Sequence, residues 1–380
     1  MSLLTDFEIE NFRCFDTFKM HNIKRINLIG GMNNAGKTAL LEALFLSGTI
    51  TKSSLNYIKY TLRGEKAING NQLNITQWYS LFYHRHTKNF IKLKSTLSNK
   101  ATKEVYARTF GYVNHDMMNQ AKTDVLALKT IADTFEKGSK LYAAHYFNGE
   151  SYDEPILTEI NSSNVNDSAL DILSIGFNWG GFLWESYANA ILFIPAGIKI
   201  NGKELAEKYD AAKFKGQAQK LLSALQLIEP TIANVDMLNL GEPALYVTRQ
   251  NEQFPSPLST YGDAITKVAL YVLLIINNPN SILLLDEVEN GIHYTNQPKF
   301  WSWLFDLAKE FDVQIFATTH SREMIEAYAQ TAIEKGMEAE AGYYELYRSP
   351  TTNQVKNHQI AVDTIPFQLE RNKPIRGEQE

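Results

Sequence analysis

Eight residues near the start of the chain, GMNNAGKT (31–38), combine what a phosphate group needs from a protein. Glycines at both ends let the backbone N–H groups curl around an anion, and the positive end of a following helix adds to the attraction. The stretch fits G-x-x-x-x-G-K-[ST] in full. Lys37 is placed to reach β- and γ-phosphates, and the Thr38 hydroxyl to help hold Mg²⁺. Gly31, Asn33, Asn34, Ala35, Gly36, Lys37, Thr38 and Ala39 are the candidate nucleotide-binding residues. The plainer reading is a structural strand-to-helix turn. The context speaks for phosphate, because INLI is apolar and β-like and KTALLEALFL reads as an amphipathic helix.

A phosphate loop needs an acidic partner at the end of a neighbouring buried strand. SILLLDEVENGIH (281–293) offers Asp286 for the metal shell and Glu287 to orient or deprotonate an attacking water. Asp and Glu also favour helix starts, so the pair has a structural reading too; the loop at 31–38 favours chemistry. VQIFATTHS (313–321) is a second apolar strand that ends in Thr318, Thr319 and His320, where parallel sheets bind ligands. His320 is a candidate for sensing the γ-phosphate, against the commoner role of a surface or capping histidine. In PLSTYGDAITKVALYVLLI (257–275), Ser259 to Gly262 precede a long apolar helix. That is either an ordinary N-cap and turn or an anion-binding helix start. The loop at 31–38 already serves this chain's own phosphate, so the second option points to a nucleotide on a partner subunit.

These residues must be positioned by strands and helices, and the rest of the chain supplies them. LTDFEIENF and FDTFKMHN read as two short strands, RINLIG as a third, with a helix from 36 to about 47. FIKLKSTL, EVYARTFGYV and KLYAAHYFNGESY alternate as strands, interrupted by a helix near 124–137. ILFIPAG is a short buried strand, and 202–228 reads as one helix, too short for a long coiled-coil arm. Beyond PALYVTR, strands and helices alternate to GYYELYR, which implies a mostly parallel sheet with helices on both faces. The charged tail LERNKPIRGEQE reads as disordered.

Bulk properties narrow the classes. The chain has 380 residues, 44% hydrophobic and 21% charged, with a net charge of −5, ordinary for a soluble protein. That charge argues against a protein that coats nucleic acid throughout. VALYVLLIIN is about half of the roughly 20 residues that span a bilayer, and the start lacks a secretory layout. The single cysteine, Cys14, excludes an internal disulfide and fits a reducing cytoplasm, and it reads as strand packing.

Taken in order, GMNNAGKT, PLSTYGDA, ILLLDEVENGIH and IFATTHS resemble the P-loop, signature, Walker B with D-loop, and switch histidine of ABC-type ATPases. The chain is most similar to the AAA-type, overcoming-lysogenisation-defect-like (OLD-like) branch related to SMC proteins, and IENFRCFDTF and ILFIPAG share that resemblance. The resemblance implies an α/β P-loop NTPase: an ABC-ATPase-like head with a mostly parallel sheet flanked by helices, an antiparallel β lobe and a short helical insertion. Its expected parts are a first core segment with the β lobe at 1–198, the insertion at 199–239, the second core segment at 240–350, and a C-terminal segment at 351–380. It implies a head-to-tail homodimer around two ATP molecules, in which Ser259 and Gly262 contact the γ-phosphate held by the other subunit. Arg13 matches an arginine of that branch placed near the nucleotide. Ala264 stands where the branch often has a second glycine; the Gln loop has no clear match, Gln77 being the nearest candidate. No Asp-x-Asp follows the last strand, so a nuclease centre is not expected in this chain.

The stretch 85–108 carries Arg85, Lys88, Lys92, Lys94, Lys100, Lys103 and Arg108 against one acid, Glu104. It reads as a solvated face first and as a DNA-phosphate surface second. Three functions fit the residues. The first is a cytoplasmic, Mg²⁺-dependent ATPase driving DNA-related work, such as phage defence or repair, with a separate effector. The second is a slowly hydrolysing, nucleotide-gated scaffold that controls a partner nuclease or toxin. The third, the ATPase of a membrane transporter, predicts a recognisable Gln loop and is set aside on that ground.

Overall fold

The structure is a computed structural model that describes residues 3–48, 50, 54–55, 57–58, 80–86, 89–110, 140–148, 156–160, 190–198 and 200–371. Its centre is a six-stranded sheet. In chain order the strands are β1 (Leu4–Phe12), β2 (Phe15–Met20), β3 (Ile26–Gly31), β4 (Ile91–Leu97), β5 (Thr102–Phe110), β6 (Lys140–Asn148), β7 (Ile156–Ile160) and β8 (Ile191–Ile194). They continue with β9 (Ile232–Asn239), β10 (Pro243–Arg249), β11 (Ser256–Pro257), β12 (Ile282–Leu285), β13 (Gln314–Thr318), β14 (Ala341–Arg348) and β15 (Val355–Ile360). The central sheet runs β15-β14-β3-β13-β12-β8, parallel except for the edge pair β14–β15. Its inner strands β3, β12 and β13 are buried along their whole length. Apolar runs such as Ile282 to Leu285 suit that position, since helices or another layer cover both faces of a parallel sheet.

Helix α1 (Lys37–Gly48) leaves the end of β3 and lies against one face of this sheet. A second six-stranded sheet, β2-β1-β4-β5-β6-β7, is antiparallel and closes over the helix from the other side. Leu40, Leu44 and Phe45 pack between Ile29, Leu284 and Phe316 on one side and Phe7, Ile9 and Phe12 on the other. The expected amphipathic helix is therefore buried all round, because it is sandwiched between two sheets rather than laid on one.

The opposite face of the central sheet is covered by α2 (Gly202–Phe214), α3 (Ala218–Ile228), α4 (Asp263–Asn277), α5 (Gln297–Glu310) and α6 (Arg322–Glu334), followed by the short α7 (Ile365–Glu370). The single helix expected over 202–228 is two helices. Gly216 adopts φ +71°, a left-handed conformation that closes α2, and its N–H is taken by the Lys213 carbonyl. The apolar faces of α2 and α3 join the same core as α4. The segment expected to be a helical insertion also contains β9, which forms a three-stranded sheet with β10 and β11. Cys14, read as a strand residue, sits in the tight turn between β1 and β2. The helix expected near 124–137 and the Gln77 candidate lie outside the described residues. Among the described residues no helix is long and apolar enough to cross a membrane.

Register brings the chemistry to one edge. Leu285 pairs with Ala317, and Thr318 with Ile29. The loop after β3, Asp286 after β12, and Thr318 to His320 at the end of β13 therefore emerge side by side at the carboxyl ends of parallel strands.

Candidate nucleotide site

The loop 31–36 is held in a shape that only glycine tolerates at its ends. Gly31 has φ +146° and Gly36 φ +101°. A Cβ on Gly31 would come within 2.6 Å of the Leu346 carbonyl oxygen at the end of β14. The Ala35 N–H donates to the Met32 carbonyl (3.2 Å), Asn34 takes φ +65°, and Asn33 and Asn34 face solvent. The amides of Lys37, Thr38 and Ala39 open α1 toward the loop, as unpaired first-turn N–H groups do. Gly31→Ala is expected to lower unfolding free energy by about 1–3 kcal/mol through backbone strain and contact, measured by denaturant unfolding.

The Lys37 ammonium is buried and donates to the carbonyls of Gly31 (2.7 Å) and Met32 (3.0 Å). Burial pushes its pKa down, while Glu289, Asp286 and Glu287 oppose that shift by holding the charge. Asp286 is buried as well. Its Oδ1 and Oδ2 accept from the Thr38 hydroxyl at 3.2 and 3.0 Å, and Oδ1 accepts from the Thr318 hydroxyl at 2.6 Å. Burial raises the Asp286 carboxyl above its ordinary range, and the two hydroxyls pull it back toward the charged form.

Glu287 follows in a left-handed conformation, φ +47°, an uncommon state for a residue with a side chain. Its N–H donates to the Thr318 hydroxyl oxygen (2.9 Å), and its Oε2 accepts from the Asn290 side-chain amide (2.8 Å). His320 lies beside Glu289: the ring Nδ1 and the main-chain N–H both approach Glu289 Oε1, at 2.9 and 2.8 Å. The Lys267 ammonium, in α4, is buried and donates to the carbonyls of Ala196 (3.3 Å) and Asn290 (3.2 Å).

The structure thus brings Lys37, Thr38 and Asp286 together, with Glu287 joined to them through Thr318. Ser259 and Gly262 are elsewhere. They sit on an exposed turn that opens α4, where Gly262 has φ +92° and the Tyr261 ring lies 4.6 Å from the Arg249 guanidinium. Among the described residues no hydrogen bond joins this turn to the loop 31–38.

Arg13, expected near the nucleotide, is engaged at the start of the antiparallel sheet. Its guanidinium binds Glu42 on α1 (3.0 Å) and the carbonyl and hydroxyl of Ser80 (2.9 and 3.1 Å). Both members of the Arg13–Glu42 pair are buried, so Arg13 braces α1 against the antiparallel sheet. Arg13→Ala is expected to cost about 3 kcal/mol of stability with ATP affinity within about twofold of wild type, measured by denaturation and nucleotide titration. A large affinity loss without destabilisation would restore the nucleotide role.

The basic stretch is also spoken for in part. Lys92 pairs with Glu10 and Glu104 (3.7 and 4.0 Å), Lys94 with Glu104 (3.5 Å), and Lys103 Nζ reaches the Gly48 carbonyl. Lys92–Glu10 and Lys94–Glu104 are cross-strand charge pairs of the antiparallel sheet, which favours the solvated-face reading for those two lysines. Lys88 lies outside the described residues. Glu289, Asn290 and Lys267 were not singled out from sequence. The run Asp-Glu-x-Glu-Asn carried a signal for the first two, in its second acid and adjacent amide.

A protein-family model described as AAA ATPase domain matches residues 3–194, half of the chain. The chain belongs to the AAA ATPase domain family. A second AAA-domain model, whose description names the AbiEii toxin and a type IV TA system, matches residues 144–326 of this AAA ATPase. An ATP/GTP phosphatase of Helicobacter pylori is 23% identical over 345 residues, which cover 88% of this chain and 89% of that protein. The DNA replication and repair protein RecF of Nitrosococcus oceani is 40% identical over 48 residues, 13% of each chain. Among solved structures, the SMC head domain from Thermotoga maritima aligns over 94% of this chain and 98% of its own, with 12% identity and a TM-score of 0.46.

Proposed function

We propose that this AAA ATPase hydrolyses ATP with Mg²⁺, as a homodimer that closes around two nucleotides, and that it drives a DNA-related process such as phage defence or repair through a separate effector protein. The observation that carries the reading is the junction of Asp286 with Thr38, the residue after Lys37, and with Thr318, at the carboxyl edge of the central sheet. Lys37 and the opening amides of α1 bind the phosphates, and Glu287 orients or deprotonates the attacking water. His320 contacts the γ-phosphate.

The donor set beside the loop suits Mg²⁺. A hydroxyl and a carboxylate are hard oxygen ligands, and Mg²⁺ commonly takes one or two such groups beside phosphate oxygens and water. Thr38 and Asp286 would hold it, and it would neutralise charge building on the phosphates. Two features support the dimer: the exposed Ser259–Gly262 turn at the start of α4, and the absence, among the described residues, of a hydrogen bond from it to this chain's own phosphate loop. On this reading Ser259 and Gly262 complete the partner's site. The pathway rests on the toxin-system description of the second family model and on the short match to RecF. The OLD-like placement rests on residues such as DEVENGIH. The toxin-system description also favours the runner-up, a slow nucleotide-gated scaffold that restrains a partner toxin or nuclease.

The test is ATP turnover per protomer across a range of protein concentrations, with and without a chelator. The dimeric enzyme is expected to turn over faster per protomer as concentration rises, and to stop when Mg²⁺ is removed. A per-protomer rate independent of concentration down to nanomolar protein would contradict the dimer. A rate far below one turnover per minute at saturating ATP would favour the scaffold.

A further inference from the structure

Glu289 stands out as a carboxylate that the reaction as described does not use. It is 91% buried, judged by a side-chain exposure of 9%. Its Oε1 receives both the ring Nδ1 and the main-chain N–H of His320, while Oε2 is shut away from solvent with no hydrogen-bond partner among the described residues. Of the three acids that act on the buried Lys37, Glu289 acts most strongly, ahead of Asp286 and Glu287. A residue serving only to cap the end of β13 would need the main-chain contact alone, and would not need to sit desolvated beside the phosphate-binding lysine.

We propose that Glu289 is a positioning residue for His320, an inference that rests on the reading that His320 meets the γ-phosphate. A carboxylate oxygen accepts and never donates, so the bond to Glu289 places a proton on Nδ1 and leaves any bond to a ligand to Nε2. A neutral ring with its proton on Nδ1 offers Nε2 as an acceptor, which repels a phosphate oxygen. While Nδ1 is held by Glu289, the ring can donate to phosphate through Nε2 only with protons on both nitrogens, and the carboxylate at 2.9 Å faces the charge of that form. The double hold on ring and backbone also fixes the direction in which Nε2 points. Glu289 therefore acts through His320 and not on the nucleotide itself. The sequence spacing Asp286-x-x-Glu289 thus links the metal-binding strand end to the histidine strand next to it.

Three variants of the full chain test this. Glu289→Ala is expected to lower kcat for ATP by about 10-fold with KM within about twofold. Glu289→Gln, which keeps shape and acceptor but loses charge, should fall between it and wild type. His320→Ala should be as slow as Glu289→Ala, and the double variant no slower than either. A double variant slower by the product of the two single effects would overturn the proposal, because Glu289 would then act independently of His320. Nitrogen NMR of the histidine ring gives a readout that folding alone does not move. The Nδ1 signal of wild type should be that of a protonated nitrogen bonded to a carboxylate, and in Glu289→Ala that signature should be lost. Unchanged ring signals in Glu289→Ala would also overturn the proposal. If His320→Ala turns over ATP at the wild-type rate while the ring signals of Glu289→Ala do shift, the positioning bond stands and the γ-phosphate role of His320 fails instead.

Discussion

Glu287→Gln is expected to cut ATP turnover by about 10²–10⁴-fold while ATP still binds. The substitution removes a base and little else. Glu287 Oε2 accepts from the Asn290 amide, and its own N–H is anchored on Thr318. Gln presents a carbonyl oxygen to the same amide, so the local backbone, including the left-handed conformation at residue 287, has no reason to move. Asp286→Asn is a different experiment, since it strips the carboxylate from Thr38 and Thr318 and should weaken Mg²⁺ binding as well. Steady-state turnover with parallel ATP titration separates the two. Glu287→Gln turnover within about threefold of wild type would transfer the water-activating role to another group.

Lys37→Ala carries the second large effect, a loss of ATP affinity of about 100-fold or more. The buried ammonium is a cation bonded to the loop carbonyls of Gly31 and Met32, and hydrogen bonds to charged groups contribute roughly 1.5–3 kcal/mol each. Without it the phosphates would face Asp286, Glu287 and Glu289, the acids that surround Lys37, with less positive charge to offset them. The fold itself should survive. Lys37 bonds only the carbonyls of Gly31 and Met32 among the described residues, and burial disfavours its charge, so truncation relieves desolvation as it removes contacts. Calorimetric titration with ATP checks the affinity, and thermal unfolding checks the fold. Retained affinity, within about threefold, would mean that the phosphates sit elsewhere.

What the sequence disclosed follows the range over which each feature acts. The loop 31–38, the apolar run into Asp286 and Glu287, and the strand ending in His320 are local patterns, and the structure places all three at one edge. Their adjacency depends on register: Thr318 meets Asp286 because Leu285 pairs with Ala317, and no local signal encodes that pairing. Arg13 and Glu42 are a buried pair between a strand turn and α1, a contact invisible until the antiparallel sheet is laid over the helix. Helix α1 misled for the same reason, since its period carries no record of the second sheet. Gly216 did carry a local signal, but the helical period on either side overrode it. Strand β9 was hidden because its exposed Asn234 and only two fully buried positions, Ile232 and Val235, blur the alternation. Strand β15 buries only its end residues, Val355 and Ile360, and so leaves no period to read.

The most direct test of the account is the molar mass of the Glu287→Gln protein in solution by light scattering, with and without Mg²⁺ and ATP. Slowed hydrolysis should hold the closed state, so the expected result is a single-chain mass without nucleotide and twice that mass with it, the change being lost in Ser259→Arg. A single-chain mass under saturating Mg²⁺ and ATP, with nucleotide bound, would contradict it.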